Sequence, residues 1–389
     1  MDTLKVELAA FESLKDLKPI LGSEGPCLSI FLPTSGASRS QGAKTNSLEW
    51  REMVRSLGSR LEPFGSKGRE LLDSVSDWDV VSQGGEPQGK SIAVLRSPDV
   101  YTVTWLDEAV ASHAVVGPHF YVRPLLPELT RPKTFYILAL SQKNVRLLRC
   151  TSRTSEEVAL PTTTATSFDA YMNTAKPDHL TDNRASAGPG TGSSKGVMFT
   201  TSTEREAKDE YLAHFYKQID RGLHECLRGK TEPVVLAGVE YEIALYRSLS
   251  KYPHLAEEAV SGAPNSLKAG EMHARAIDAI ARCSEHKVDG ALNEYNHRVG
   301  AGASNRLKEI IPAAHEGRVL TLLISDSLET TGAFDEATYK VTGRETGTSD
   351  DEDLTNDAAV QTILHAGQIY VVPNGKMPNG APLAAIYRF

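Results

Sequence analysis

Residues 185–196 read ASAGPGTGSSKG and hold four glycines, Gly188, Gly190, Gly192 and Gly196. Glycine lowers the steric cost of unusual φ/ψ and lets backbone come close to a ligand, so a run of this kind can carry backbone N–H groups into a crowded site. The stretch also brushes two catalytic signatures. A nucleotide-binding phosphate loop needs Gly-Lys-Ser/Thr in a row directly after a strand, but Ser193 and Ser194 separate Gly192 from Lys195. Gly192-Ser193-Ser194-Lys195-Gly196 fits Gly-x-Ser-x-Gly, yet the serine elbow needs a strand before the nucleophile and a helix straight after it, and polar residues precede it here. Two readings remain. One is a solvated surface loop. The other is a tether whose amides, with Lys195, meet an ester or an RNA phosphate.

The other reactive side chains form no constellation. His273, His286, His297 and His315 fall in helical sequence without the HExxH spacing of a zinc site. Cys27, Cys150, Cys226 and Cys283 make no CxxC pair, so no thiolate metal site is expected, and the first three read as reduced thiols inside apolar patterns. Glu156–Glu157 and the acids of 350–353 are charge runs rather than a tuned acid/base pair. No metal and no cofactor are expected. The net charge of −8 excludes a global basic field, and the basic–aromatic interleaving of single-strand binders is absent. Ten Asp/Glu against four Lys/Arg give 319–389 a balance of −6, which favours a protein partner over phosphate there. No run approaches the ~18 apolar residues of a membrane span, and the first residues lack signal-peptide character, so a cytoplasmic protein is expected.

These groups need a scaffold, and 389 residues at 40% apolar content suffice for two or three domains. CLSIFL (27–32) reads as a buried strand and 46–61 as a helix with Trp50, Val54, Leu57 and Leu61 on one face. SIAVL (91–95) and VYTVTW (100–105) flank Ser97-Pro98-Asp99 as a hairpin, and HFYVRPLL (119–126) reads as a further strand. TFYILAL, VRLLRC and EEVAL (134–160) make a meander. Residues 161–202 then run with at most one short helix, near 168–173, which is long for a loop without function. Thr203 with Glu206 forms a capping-box pattern opening a helix to Gly229, with Tyr211, Phe215, Ile219 and Leu223 as its core stripe. PVVLAG (233–238) is a buried strand and 242–250 a helix. Helices over 267–283, 288–298 and 304–315 follow, then the strand VLTLLIS (319–325), a polar loop over 326–353, a helix over 354–365, and strands at 368–372 and 382–389. Alternation of this kind implies layered α/β domains.

Three stretches together resemble one family. PKTFYILALSQKNVRLLRC, a long loop and helix, then EPVVLAGVEYEIALYRSLSKYPH resembles the middle domain of the archaeal and eukaryotic peptide-chain release factor superfamily, which includes Pelota. ASNRLKEIIPAAHEGRVLTLLIS with GAPLAAIYRF resembles its C-terminal domain, and GPCLSIFLPT its N-terminal domain; the bacterial branch of these release-factor-like proteins is the nearest match. The resemblance implies three α/β domains, 1–130, 131–265 and 266–389, the middle one ribonuclease-H-like and the last an α/β/α sandwich like kink-turn-binding ribosomal proteins. It also implies that 188–196 stands where the family's Gly-Gly-Gln loop enters the ribosomal peptidyl-transferase centre. Here no Gly-Gly-Gln occurs, no glutamine lies within 161–202, and the stop-codon motifs Asn-Ile-Lys-Ser and Tyr-x-Cys-x-x-x-Phe are missing.

The expectation is a ribosome-associated factor acting on stalled or idle ribosomes, with ribosomal RNA and tRNA as partners and a translational GTPase taken by the acidic C-terminal part. Gly188, Gly190 and Gly192 would offer backbone amides, which stabilise a developing oxyanion without any particular side chain, and Ser193, Ser194, Lys195 and Gly196 would meet RNA. If the chain is catalytic, the reaction is peptidyl-tRNA ester hydrolysis carried out with the ribosome. A non-catalytic occupant of the A site, and a scaffold with no ribosomal role, are the alternatives.

Overall fold

The computed structural model describes residues 7–23, 25–34, 39–76, 90–174, 201–343 and 352–389. The chain divides into two compact units, one made of Met1–Lys133 with Ser284–Phe389 and the other of Thr134–Cys283.

The first unit opens with β1 (Glu7–Leu8), α1 (Leu14–Leu21), β2 (Cys27–Pro33), α2 (Arg39–Leu61), α3 (Gly65–Ser76), β3 (Ser91–Arg96), β4 (Tyr101–Leu106) and β5 (His113–Gly117). The strands form one sheet in the order β1-β4-β3-β2-β5. Side chains alternate across a strand, so Leu28, Ile30 and Leu32 pack under Trp50, Val54, Leu57 and Leu61 of α2, while Cys27 and Phe31 face the opposite layer. The Trp50 indole N–H donates to the Val75 carbonyl at 3.0 Å and ties α2 to α3. A Cβ at Gly68 would stand 2.1 Å from the Leu61 carbonyl oxygen, so glycine is required where these helices meet. The hairpin at Ser97-Pro98-Asp99 is present, closed by Ser97 N–H to Val100 O at 2.8 Å.

HFYVRPLL corrects an expectation. The strand paired with β2 is β5, at His113–Gly117, and the stretch after it turns into a 3₁₀ turn at Arg123–Leu125 and α4 (Leu126–Leu129). Pro124 and Pro127 explain this, because each fixes φ and lacks the N–H that a central strand would use.

The second unit holds β6 (Phe135–Ala139), β7 (Arg146–Cys150), β8 (Ser155–Val158), α5 (Phe168–Thr174), α6 (Thr201–Cys226), β9 (Val234–Gly238), α7 (Glu240–Leu249) and β10 (Leu255–Ser261). The sheet order is β10-β9-β6-β7-β8. β6, β7 and β8 form an antiparallel meander, and β9 and β10 continue parallel from β6 on its other side. This is the ribonuclease-H-like arrangement. α6 and α7 cover one face through Phe215, Tyr216, Ile219, Leu223, Ile243 and Tyr246. Met272, Ala276, Ala279 and Ile280, from the first half of α8 (Ala269–Arg298), cover the other. α8 is one helix where the sequence reads as two, since nothing in 284–287 breaks it.

The first unit resumes with the second half of α8, then β11 (Ala303–Ser304), α9 (Leu307–His315), β12 (Val319–Ser325), β13 (Thr331–Asp335), β14 (Lys340–Gly343), β15 (Glu352–Asp353), α10 (Leu354–Leu364), β16 (Gln368–Val372) and β17 (Leu383–Tyr387). The main sheet, β11-β17-β12-β16, has α9 and α10 on one face and Ala291 and Tyr295 of α8 on the other, an α/β/α sandwich. The polar span 326–353, expected to be loop, contributes the small sheet β14-β13-β15. One apolar core joins Phe11, Leu17, Phe31 and Leu126 to Ile310, Ile324, Ala359 and Leu383, so the N-terminal sheet and the C-terminal sandwich share buried surface.

Candidate functional site

Every residue singled out in the glycine run, Gly188, Gly190, Gly192, Ser193, Ser194, Lys195 and Gly196, lies outside the described residues. What is described is the support on either side. α6 spans 26 residues, about 39 Å at 1.5 Å per residue. It begins at Thr201, two residues before the Thr203 cap read from the sequence, and Gly229 follows its end at φ +77°. On the approach side, residues 161–174 are sewn to the same helix. Gln218 Nε2 donates to Thr163 O at 3.0 Å, and the space a Cβ at Gly222 would fill is taken by Thr164 at 2.6 Å. Phe168 and Tyr171 of α5 pack on Phe215 at 5.9 Å and 5.8 Å, and Phe215 continues through Tyr216 to Tyr246. Phe168 N–H to Gln142 O and Val145 N–H to Thr166 O, at 2.8 and 2.7 Å, fix the segment to the β6–β7 turn. Each aromatic pair contributes about 0.5–1.5 kcal/mol beyond its burial. α5 and α6 therefore rest on one packed base.

At the carboxyl ends of the parallel strands β6 and β9, where open α/β sheets place ligands, stands Glu242. It is buried in the first turn of α7 and accepts from Gln142 Nε2 at 3.2 Å. Burial pushes this carboxyl above its ordinary range, and Gln142 and Tyr216 pull it part of the way back. The Tyr216 hydroxyl faces it without closing a hydrogen bond of normal geometry. Among the described residues no group of three or more His, Cys, Asp or Glu is placed to hold a metal ion. Cys27 and Cys150 are buried free thiols, and burial pushes both up to about 12, which keeps them protonated and unreactive. No described helix is long and apolar enough to cross a membrane.

The second unit carries a further site that the linear sequence conceals. A cleft of about 770 Å³ lies along the last turns of α6 and the turn after α7. Lys217, Arg221 and His224 recur at helical spacing along one stripe of α6, Arg228 follows in the turn just past its end, and Lys230 and Lys251 join them. Five Lys/Arg against Asp220 and Glu225 leave the lining at +3 with His224 neutral, in a chain of net charge −8. The carboxylate of Asp220 is occupied internally. It accepts from Tyr246 Oη at 3.1 Å, Ser250 Oγ at 2.5 Å and the Lys251 N–H at 3.2 Å. His224 Nδ1 lies 2.8 Å from Asp220 O, and its ring meets Tyr252 edge-on at 5.6 Å. Lys217, Arg221, Arg228 and Lys251 are exposed, and none pairs with a carboxylate among the described residues. The signal was present in the sequence as basic residues at i, i+4 and i+11. A search for basic residues adjacent to aromatics misses it, because the partner Tyr252 comes from another element.

Residues 134–318 match the model of the family described as Bacterial archaeo-eukaryotic release factor family 3. Over that span the chain is similar to the bacterial branch of the archaeo-eukaryotic release factors, and the resemblance drawn from its motifs is borne out. Among solved structures it is similar to Dom34 of S. cerevisiae, a translation termination-like factor, at 12% identity and TM-score 0.38, covering 80% of this chain and 77% of that one. Pelota of Archaeoglobus fulgidus matches at 9% identity and TM-score 0.33, over 98% and 93% of the two chains. The archaeal translation termination factor aRF1 matches at 14% and 0.22, over 97% and 98%. With scores this low, the fold description rests on the sheet orders themselves. No curated protein matches the chain.

Proposed function

We propose that this chain is a translation factor that acts at the ribosome, on stalled or idle particles, with residues 185–196 directed at the peptidyl-transferase centre. The observation that carries it is the release-factor family match over 134–318, a span that includes the glycine run and α6. The long helix and the base packed around Phe215 support it, since a tether probing a narrow cavity needs a rigid mount. In this scheme 1–130 faces the decoding site and 131–265 carries the tether toward the tRNA acceptor end. The remaining part, 266–389, offers its acidic surface to a translational GTPase. Backbone amides of Gly188, Gly190 and Gly192 approach the reacting ester, and Ser193, Ser194, Lys195 and Gly196 lie against RNA. The absence of Gly-Gly-Gln favours occupancy of the A site over hydrolysis.

Puromycin reactivity and peptidyl-tRNA release on stalled ribosomes test this together. Occupancy predicts that the wild-type chain slows the puromycin reaction and releases no peptide, and that Gly190→Ala with Gly192→Ala restores puromycin access. Peptide release by the wild type that the same pair abolishes moves the assignment to a hydrolytic rescue factor. No effect of the wild type on either reaction contradicts both.

A further inference from the structure

We infer that the cleft along the last turns of α6 is a sequence-independent binding site for the phosphate backbone of RNA. It is separate from the glycine run. For its biological ligand it rests on the ribosomal reading above, but its chemistry does not. Five exposed cations of the cleft have no carboxylate partner among the described residues: Lys230, which donates to Tyr136 Oη at 2.7 Å, and Lys217, Arg221, Arg228 and Lys251, which are left to meet a ligand. Lys217 and Arg221 stand on α6 and Arg228 in the turn just past its end, so the row runs from Lys217 to the end of the helix, about 13 Å, and continues beyond it. A single phosphate cannot satisfy a row of that length, whereas a nucleic-acid strand carries a charge about every 3.4 Å. Of the two acids in the lining, Glu225 is exposed, whereas Asp220 is turned inward and taken up by the fold. Asp220 is buried and takes three hydrogen bonds from Tyr246, Ser250 and the Lys251 amide, which lock the turn after α7 beside α6 and hold Lys251 opposite the stripe. Arginine and lysine suit this ligand, because they contact phosphate oxygens and read no bases.

The test is fluorescence anisotropy of the full chain with a labelled single-stranded oligoribonucleotide, titrated at several salt concentrations. Four phosphate contacts on a single strand predict a slope of log K against log salt near −2.8, so affinity falls about 50-fold between 50 and 200 mM salt. Lys217→Gln, Arg221→Gln, Arg228→Gln and Lys251→Gln combined remove most of that slope, while Lys67→Gln with Arg69→Gln on α3 leaves it unchanged. All of these residues are exposed, so an unchanged circular dichroism melt accompanies each variant. Inorganic phosphate and a nucleoside triphosphate at millimolar concentration fail to displace the strand; displacement by either overturns the extended site in favour of a single-anion pocket. A quadruple variant that binds RNA with the wild-type slope overturns the assignment. Ribosome co-sedimentation of the same variants keeps the two readings apart. A wild type that binds ribosomes but no oligoribonucleotide contradicts the cleft and leaves the ribosomal reading standing. RNA binding lost in the quadruple variant supports the cleft, even where ribosomes are not bound.

Discussion

Arg123 buries its guanidinium among one hydrogen-bonded carboxylate, one hydroxyl and two carbonyls, with a second carboxylate, Glu329, at 3.9 Å. It donates to Leu328 O at 2.8 Å, Thr355 Oγ1 at 2.6 Å, Asp353 Oδ2 at 3.3 Å and Ser325 O at 3.1 Å. Two residues earlier and one residue earlier, Tyr121 bonds Glu329 and the Val122 N–H donates to Asn356 Oδ1, so one short segment is held by three consecutive contacts. Removing one partner of a buried pair leaves the other charge uncompensated, so Arg123→Met lowers unfolding stability by about 3–5 kcal/mol, read from urea titration. Asp353→Asn in that background recovers part of the loss. Glu242 gives the opposite kind of test. Its folded-state carboxyl holds its proton more tightly than an ordinary glutamate, so its contribution is fully present below the ordinary value of 4.5 and is lost as pH rises through the raised value. Glu242→Gln is therefore expected to gain in melting temperature relative to wild type as pH moves from about 4.5 to 7. A difference that stays constant with pH contradicts the buried, proton-holding state.

At the scale of the element, α6 is where most of the second unit's organisation meets. Gly222 faces Thr164 so closely that alanine must displace the segment leading to α5. Gly222→Ala is expected to cost about 1–3 kcal/mol by overpacking, measured as a loss of thermal stability, although alanine is the better helix former. No cost there means that residues 161–174 do not pack on α6 as described. α6 was legible in the sequence because Phe215, Ile219 and Leu223 repeat at helical spacing and meet one core. β6 and β9 were legible because both of their faces are buried, which makes each a continuous apolar run. β13 and β14 were not, since they are short strands that bury few side chains and whose residues are mostly as polar as a loop. HFYVRPLL misled for a related reason. Its apolar residues are buried between the N-terminal sheet and the C-terminal sandwich, and a run buried on all sides has no period to separate strand from turn. The cleft on α6 was half legible: its stripe is helical spacing, but Lys251 and Tyr252 reach it only through the fold.

Across the whole molecule, sequence order and packing differ. Residues 1–133 and 284–389 share one continuous core although 150 residues separate them. A chain ending at Arg298 therefore loses Ile310, Ile324, Ala359 and Leu383 from beneath the N-terminal sheet. It is expected to lose the buried environment of Trp50 as well, seen as a red-shifted and more quenchable tryptophan fluorescence. Retention of native fluorescence by that truncation would show the N-terminal sheet to be self-sufficient. The charge distribution also belongs to this scale: an acidic C-terminal stretch and a basic cleft coexist in a chain whose net charge alone argues against RNA. The central claim is that this release-factor-like chain works on ribosomes, and sedimentation of the tagged full-length chain through a sucrose gradient tests it most directly. Co-migration with ribosomal particles, increased when cells are starved and translation idles, is the predicted result. A chain that stays at the top of the gradient in growing and starved cells alike contradicts it.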